Sequence, residues 1–188
     1  IADNSLILGQ RLGELTGHGP NLETDIACTN ISLDLFGQVR SYFQYASKIA
    51  GDGRSEDDIA MLRKERDYKN VLLVEQPNTN FAYTIARQFL FDAYHLVFLR
   101  ELQKSSDLTL AAIANKCIKE VSYHERFSSD WVRRLGDGSE ESKSKTTAFC
   151  RCGASANKPY CDGSHKNLAK DENISEKFFK DVCLMNCL

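Results

Sequence analysis

The sequence lacks any apolar run approaching the roughly 20 residues that a helix needs to cross a bilayer. Its N-terminus also lacks the charged segment followed by an apolar one that is typical of a secretory signal. We therefore expect no direct insertion of this chain into a membrane. Because the chain begins at Ile1 and not at methionine, we expect a processed or trimmed N-terminus, where a removed targeting peptide would leave no trace.

An excess of charge of one sign is also missing. The formal net charge is −2, and Lys and Arg are interspersed with Asp and Glu, so that no basic face is formed. Because binding to nucleic acid depends on such a face, we expect no nucleic-acid partner. The hydrophobic fraction of 42% and the charged fraction of 27% are those of a globular protein.

The seven cysteines are unevenly placed. Cys28 and Cys117 lie alone in apolar segments, whereas the other five lie between residues 150 and 187. An odd and clustered set favours metal binding over a disulfide framework, and free thiols favour a reducing compartment. We expect the cytoplasm if the protein is bacterial, with the mitochondrial matrix as the alternative.

Between residues 4 and 135, apolar residues recur every three or four positions, and no strand-type alternation is sustained. Prolines are few, and two of the three, Pro20 and Pro77, interrupt the helical pattern. The pattern predicts helices over residues 4–16, 22–50, 55–76 and 80–104, and a fifth that follows cap residues 105–107 and ends at 136. Four long helices joined by short turns predict a mainly α protein built as a four-helix bundle.

Composition changes over residues 139–147, which are polar and almost free of apolar side chains. Segments of this kind usually separate domains. We therefore predict a helical domain over residues 1–142 and a small C-terminal module over residues 143–188.

The C-terminal module carries three thiols and one imidazole within sixteen residues, namely Cys150, Cys152, Cys161 and His165. By ligand count alone, zinc is an alternative, because closed Cys3His sites are common for structural zinc. A Cys-x-Cys pair is better suited to one iron of a binuclear cluster, which leaves Cys161 and His165 for the second iron. The spacing predicts a [2Fe-2S] cluster.

The same segment, C-x-C-x2-S-x3-P-x-C-D-G-S-H, resembles the CDGSH iron-sulfur family over residues 147–168. This resemblance implies a [2Fe-2S] cofactor held by those four residues, single-electron transfer or redox sensing, and an electron-transfer partner. A histidine ligand is expected to raise the reduction potential and to make it depend on pH near neutrality. Members of that family usually occur as dimers or tandem pairs, whereas only one copy is present here.

Polar residues occupy four positions of the helical part where apolar ones would be expected: Asp34, Glu65, Asp92 and His124. Inward carboxylates and histidines from successive helices form the di-iron site of ferritin-like bundles. These four residues are therefore candidate metal ligands.

The candidate metal site is incomplete, because a di-iron bundle uses two Glu-x-x-His pairs. Glu65 is followed at the third position by Tyr68, and His124 is preceded at that spacing by a valine. Asp92 and His95 have the right spacing but lack a second pair. The alternative, which we prefer, is that these charges are neutralised by neighbours such as Lys69, Arg66 or tyrosine hydroxyls.

Residues 2–142 resemble the C subunit of phenylacetyl-CoA ring epoxidase, a multicomponent oxygenase, in the segments LILGQRLGELTGHGP, DIACTNISLDLFGQVRSY, LLVEQPNTNFAYTIARQFLFDAYH and IKEVSYHERFSSDWVRRLGDGSEES. The resemblance implies a ferritin-like fold and a non-catalytic, structural role beside a related catalytic subunit that carries the di-iron site. In that family, further helices follow the position of residue 142 and a separate reductase delivers electrons. Two alternatives stay open: an accessory subunit of a larger, possibly mitochondrial respiratory assembly, and an active di-iron oxygenase.

Overall fold

The computed structural model describes residues 1–136, and every regular element within them is a helix. The elements are α1 (Ala2–Gly13), α2 (Leu22–Ala50), α3 (Glu56–Met61), a 3-10 turn (Glu65–Asp67), α4 (Leu72–Glu75), α5 (Phe81–Leu102) and α6 (Leu108–Gly136). In this part of the chain, no helix combines the length and the apolar character needed to cross a membrane. The predicted module over residues 143–188 lies outside the described residues.

Side-chain caps set the ends of the long helices. The Asn21 side chain accepts a hydrogen bond from Thr24 N at 2.8 Å at the start of α2, and Asn80 accepts one from Tyr83 N at 2.8 Å at the start of α5. Each bond satisfies an amide that has no partner within its helix. Helix α2 ends at Ala50 and is followed by Gly51, whose φ of 61° is readily adopted by glycine. The prediction of a helix over 22–50 is confirmed.

The prediction of one helix over 55–76 is wrong. Helix α3 begins as expected, because Ser55 Oγ accepts from Asp58 N at 3.2 Å and the Asp58 carboxylate accepts from Ser55 N at 2.8 Å. The helix nevertheless ends at Met61, and a 3-10 turn and the short α4 follow it. The apolar spacing predicted one continuous helix, but α-helix is interrupted between Met61 and Leu72.

The reason is tertiary, because the first turn of α1 binds the backbone of this segment. The Asp3 carboxylate accepts from Lys69 N at 2.8 Å, and Asn4 Oδ1 accepts from Val71 N at 2.8 Å. The Arg63 guanidinium donates to Asp3 and lies 4.2 Å from the centre of the Tyr68 ring. Because the amides of Lys69 and Val71 bond to α1, they are not available for hydrogen bonds that would continue α3.

The helices associate in two pairs, α1 with α2 and α5 with α6, and α2 also contacts α6. Helices α1 and α2 approach closely at Gly9, where a Cβ atom would lie 3.2 Å from the Phe36 ring. Ser32 Oγ donates to Gly9 O across this contact at 2.7 Å. One core cluster joins α1, α2, α4 and α5 through Leu8, Leu12, Ile31, Leu35, Val74 and Phe91. The predicted mainly α fold is confirmed for the described residues and is consistent with a ferritin-like bundle.

Candidate site in the bundle interior

Two of the candidate metal ligands, Asp34 on α2 and His124 on α6, contact each other. His124 Nε2 lies 3.0 Å from Asp34 Oδ2, and the imidazole is fully buried whereas 40% of the Asp34 side chain is exposed. Burial lowers the pKa of His124 and outweighs the opposing effect of Asp34. At neutral pH the ring is therefore uncharged, and its Nε2–H donates to the carboxyl oxygen.

Asp92 on α5 forms one hydrogen bond within its own helix and one to α6. Its Oδ1 accepts from Gln88 Nε2 at 2.7 Å, and its Oδ2 accepts from Ser128 Oγ at 2.8 Å. Burial raises the pKa of Asp92 to about 8, although both hydrogen bonds oppose this shift. Near neutral pH the group is chiefly a neutral acid, whose proton a rotated Gln88 amide would accept through Oε1. That amide oxygen has no other partner among the described residues.

His95 follows Asp92 by three positions on α5 and is 3% exposed. Its ring packs against Phe91, with 5.2 Å between the ring centroids. Burial, followed by the proximity of His124, lowers the pKa of His95 to about 3. Two neutral imidazoles, one from α5 and one from α6, therefore lie near each other in this interior.

Glu65 is not part of this interior. It lies in the 3-10 turn and is exposed, because the helix on which it was expected ends four residues earlier. The structure thus brings Asp34 and His124 into contact. Asp92 on α5 bonds to Ser128, which lies one turn after His124 on α6. The structure does not bring Glu65 to them.

The interior donor set does not fit a di-iron centre. One imidazole nitrogen of His124 is bonded to Asp34, and both carboxyl oxygens of Asp92 are engaged in hydrogen bonds with Gln88 and Ser128. Within residues 1–136, no group of three or more His, Cys, Asp or Glu side chains is arranged to hold a metal ion. Amide, hydroxyl and imidazole groups satisfy these carboxyls, in place of the Lys69 and Arg66 expected as neutralising partners.

Sequence reasoning missed several members of this network. Gln38 on α2 donates to Glu120 on α6 at 3.0 Å, and Gln88 and Ser128 bond to Asp92. A signal was present, because Gln38, Gln88 and Ser128 each lie four positions from a residue already singled out. On a helix, that spacing places side chains on one face.

The described fold and its polar interior define a helical-bundle protein whose inward acids and histidines bond to one another and to neutral side chains. The chain belongs to the phenylacetic acid catabolic protein family, whose model matches residues 1–150. The predicted resemblance over residues 2–142 to a protein of phenylacetate catabolism is thereby confirmed. The match extends past the domain boundary predicted at residue 142 and includes Cys150.

The chain is also similar to a curated relative, the C subunit of 1,2-phenylacetyl-CoA epoxidase from Escherichia coli (strain K12). The two are 53% identical over 145 residues, which is 77% of this chain and 58% of the relative. The chain therefore spans somewhat more than half the length of that relative. The four predicted cluster ligands, Cys150, Cys152, Cys161 and His165, lie outside the described residues.

Proposed function

We propose that the helical part of this chain is a non-catalytic, structural subunit of an oxygenase that acts in phenylacetate breakdown. The observation that carries the proposal is the 53% identity, over 145 residues, to the C subunit of an epoxidase. A protein that closely related is expected to share fold and partner surfaces. Its expected partner is a related ferritin-like subunit that carries the catalytic metal, and its expected location is the cytoplasm of a bacterium.

The arrangement of the bundle interior supports a scaffold role. The side chains that would ligate metal in an active bundle instead join helices, Asp34 to His124 across α2 and α6 and Asp92 to Ser128 across α5 and α6. Buried polar groups that are paired in this way hold helices in one register. The interior therefore contributes to the shape of the subunit and not to oxygen chemistry.

Residues 143–188 are proposed to carry a [2Fe-2S] cluster held by Cys150, Cys152, Cys161 and His165. The donor set supports this, because three thiolates and one imidazole complete the ligands of two tetrahedral irons, and because the Cys-x-Cys spacing fits one of them. Such a cluster would supply one-electron transfer or redox sensing. The alternative for the same ligands is a structural zinc ion.

The metal content of the full chain tests the cluster proposal. We expect two irons and two labile sulfides per chain, with a visible spectrum that bleaches on reduction by dithionite. Substitution Cys161→Ser should remove the spectrum, whereas Cys187→Ser, a matched change outside the motif, should retain it. One zinc without sulfide would overturn the electron-transfer proposal.

The same measurement separates the scaffold from the alternative of an active di-iron oxygenase. Two irons per chain leave none for the bundle, whereas about four irons with only two sulfides would place iron there. Substitution His124→Ala should then leave the iron content unchanged if the scaffold proposal holds. A loss of iron in that variant would support the di-iron alternative.

Co-purification tests the partner. An affinity-tagged full chain should retain a related oxygenase subunit through a salt wash. Recovery of respiratory-complex subunits in its place would favour the alternative of an accessory subunit in a larger assembly.

A further inference from the structure

Arg87 on α5 is a buried cation with an unused hydrogen-bonding edge. Its side chain is 1% exposed, and its Nη1 donates to Gln76 O at 2.5 Å. Its Nε and Nη2 are buried and have no hydrogen-bond partner among the residues that the structure describes. These two nitrogens form one edge of the planar guanidinium, the edge that holds two oxygens of a carboxylate or phosphate in parallel.

A second guanidinium converges on the same turn. Arg11 at the end of α1 donates through Nη2 to Glu75 O at 3.0 Å, the carbonyl that precedes the one bound by Arg87. Its Nη1 is already paired with Glu14 at 3.1 Å, on the surface. The turn is tied to α1 by Asn78, whose Nδ2 donates to Arg11 O at 2.6 Å. Two positive charges thus meet between the ends of α1, α4 and α5.

Among the described residues, Glu14 attracts Arg87 from a distance, but the carboxylate of Glu14 is paired with Arg11. Burial, followed by repulsion from Arg11, lowers the pKa of Arg87 to about 10, so that the group is still cationic at neutral pH. Among the described ion pairs, none joins Arg87 to a carboxylate, and Glu14 is engaged with Arg11. A buried charge without a partner is costly, and proteins usually supply its counter-ion.

We propose that Arg87, with Arg11 beside it, forms a site for an oxyanion, namely a small ligand whose carboxylate or phosphate group is held by Nε and Nη2 of Arg87. Both ligand types offer two oxygens at the spacing of that edge. Because both nitrogens are buried in this structure, the anionic group would reach them by an outward shift of the turn between α4 and α5. The site is separate from the polar interior at Asp92 and does not depend on the proposed oxygenase role.

Thermal unfolding of the full chain tests the site. Sodium chloride is replaced stepwise, at constant ionic strength, by sodium phosphate in one arm and sodium acetate in the other. We expect a saturable rise in Tm in at least one arm, about 4 °C at ten times the dissociation constant. The responding arm identifies the ligand as a phosphate or a carboxylate. The absence of a saturable rise in both arms would overturn the proposal.

Matched variants separate binding at Arg87 from a general salt effect. Arg87→Met keeps the apolar stem and removes the donors, so it should abolish the saturable rise while unfolding in chloride no earlier than the native chain. Arg133→Met removes an arginine whose side chain is 75% exposed and should keep the rise. If Arg87→Met does not fold, Arg87→Lys, which keeps the charge without the paired donors, should reduce the rise. An unchanged rise in the Arg87 variant would contradict the site.

Discussion

Two buried aspartates of this bundle have opposite charge states. Asp3 is 7% exposed and Asp92 is 1% exposed. Burial acts to raise the pKa of both, but hydrogen bonds from Arg63 and from Lys69 N bring the pKa of Asp3 below its usual range. Burial, aided by the charge of Glu125, raises the pKa of Asp92 to about 8, because its hydrogen-bond partners among the described residues are a neutral amide and a hydroxyl. At neutral pH Asp3 is an anion and Asp92 is chiefly a neutral acid.

The difference shows that the partner, and not burial alone, decides the charge of an interior carboxyl. A cation in contact keeps Asp3 ionised, and the resulting ion pair holds the segment after α3 against α1. Neutral donors leave Asp92 protonated, and it joins α5 to α6 as a hydrogen-bonding group. The two residues should therefore respond differently to mutation and to pH.

The largest effect is expected from Asp3→Ala. This change leaves the Arg63 guanidinium, whose side chain is 17% exposed, and Lys69 N without their acceptor. We expect a loss of about 3 kcal/mol in the free energy of unfolding, measured by urea denaturation. As a control, Asp52→Ala removes an exposed ion pair with Arg54 at 2.6 Å and should change the midpoint little. Equal effects of the two changes would contradict the comparison.

A change of opposite sign is expected from Asp92→Asn, which mimics the neutral acid. Because the folded pKa of Asp92 lies near 8 and its ordinary value is 3.8, folding takes up a proton between these values. The native chain should then lose stability as pH rises from about 4 to about 8, by the contribution of this group. Asp92→Asn removes that loss, so its stability relative to the native chain should grow over the same range.

The pH dependence of Asp3 has the reverse sign. Its folded pKa is depressed, so its contribution is present above its ordinary value of 3.8 and is lost as pH falls through the lower folded value. Urea midpoints at several pH values, for the native chain and both variants, measure the two slopes. A difference between Asp92→Asn and the native chain that does not vary with pH would show that Asp92 is ionised in the fold.

A smaller loss is expected from Ser128→Ala, which removes the hydroxyl donor to Asp92. We expect a loss of about 1 kcal/mol in the free energy of unfolding. Ser122→Ala is a matched control on the same helix, because Ser122 Oγ bonds only back to Ile118 O at 2.6 Å in the described structure. The control should be neutral, so that the difference between the variants reports the bond from α6 to α5.

The smallest effect is expected from Asp34→Asn. The side chain is 40% exposed, and the amide oxygen can still accept from His124 Nε2. We expect a change below about 0.5 kcal/mol in thermal or urea unfolding. A loss as large as that of Asp3→Ala would mean that the Asp34–His124 contact is an ion pair and that His124 is protonated in the fold.

Local signals predicted much of the fold. Asn21 caps the start of α2 and Gly51 follows its end, as the predicted range of 22–50 required, and the capping box of Ser55 and Asp58 starts α3 where the predicted third helix begins. The segment after Met61 could not be predicted in this way, because Asp3 and Asn4, some 66 residues earlier, bind its backbone amides. Glu65 was misplaced for the same reason, since its predicted position depended on a helix that the tertiary contacts interrupt.

The amino-acid sequence alone was enough to predict the helical class and the inward position of Asp92 and His124, because apolar periodicity and caps are local properties of the chain, and its segments were enough for the family resemblance. Tertiary packing was needed to show which groups these side chains meet. The contacts of Asp34 with His124 and of Asp92 with Ser128 depend on how separate helices pack, and so does the burial that raises the pKa of Asp92. The burial of Nε and Nη2 of Arg87, without a partner among the described residues, likewise depends on how α1 and the turn before α5 pack around them.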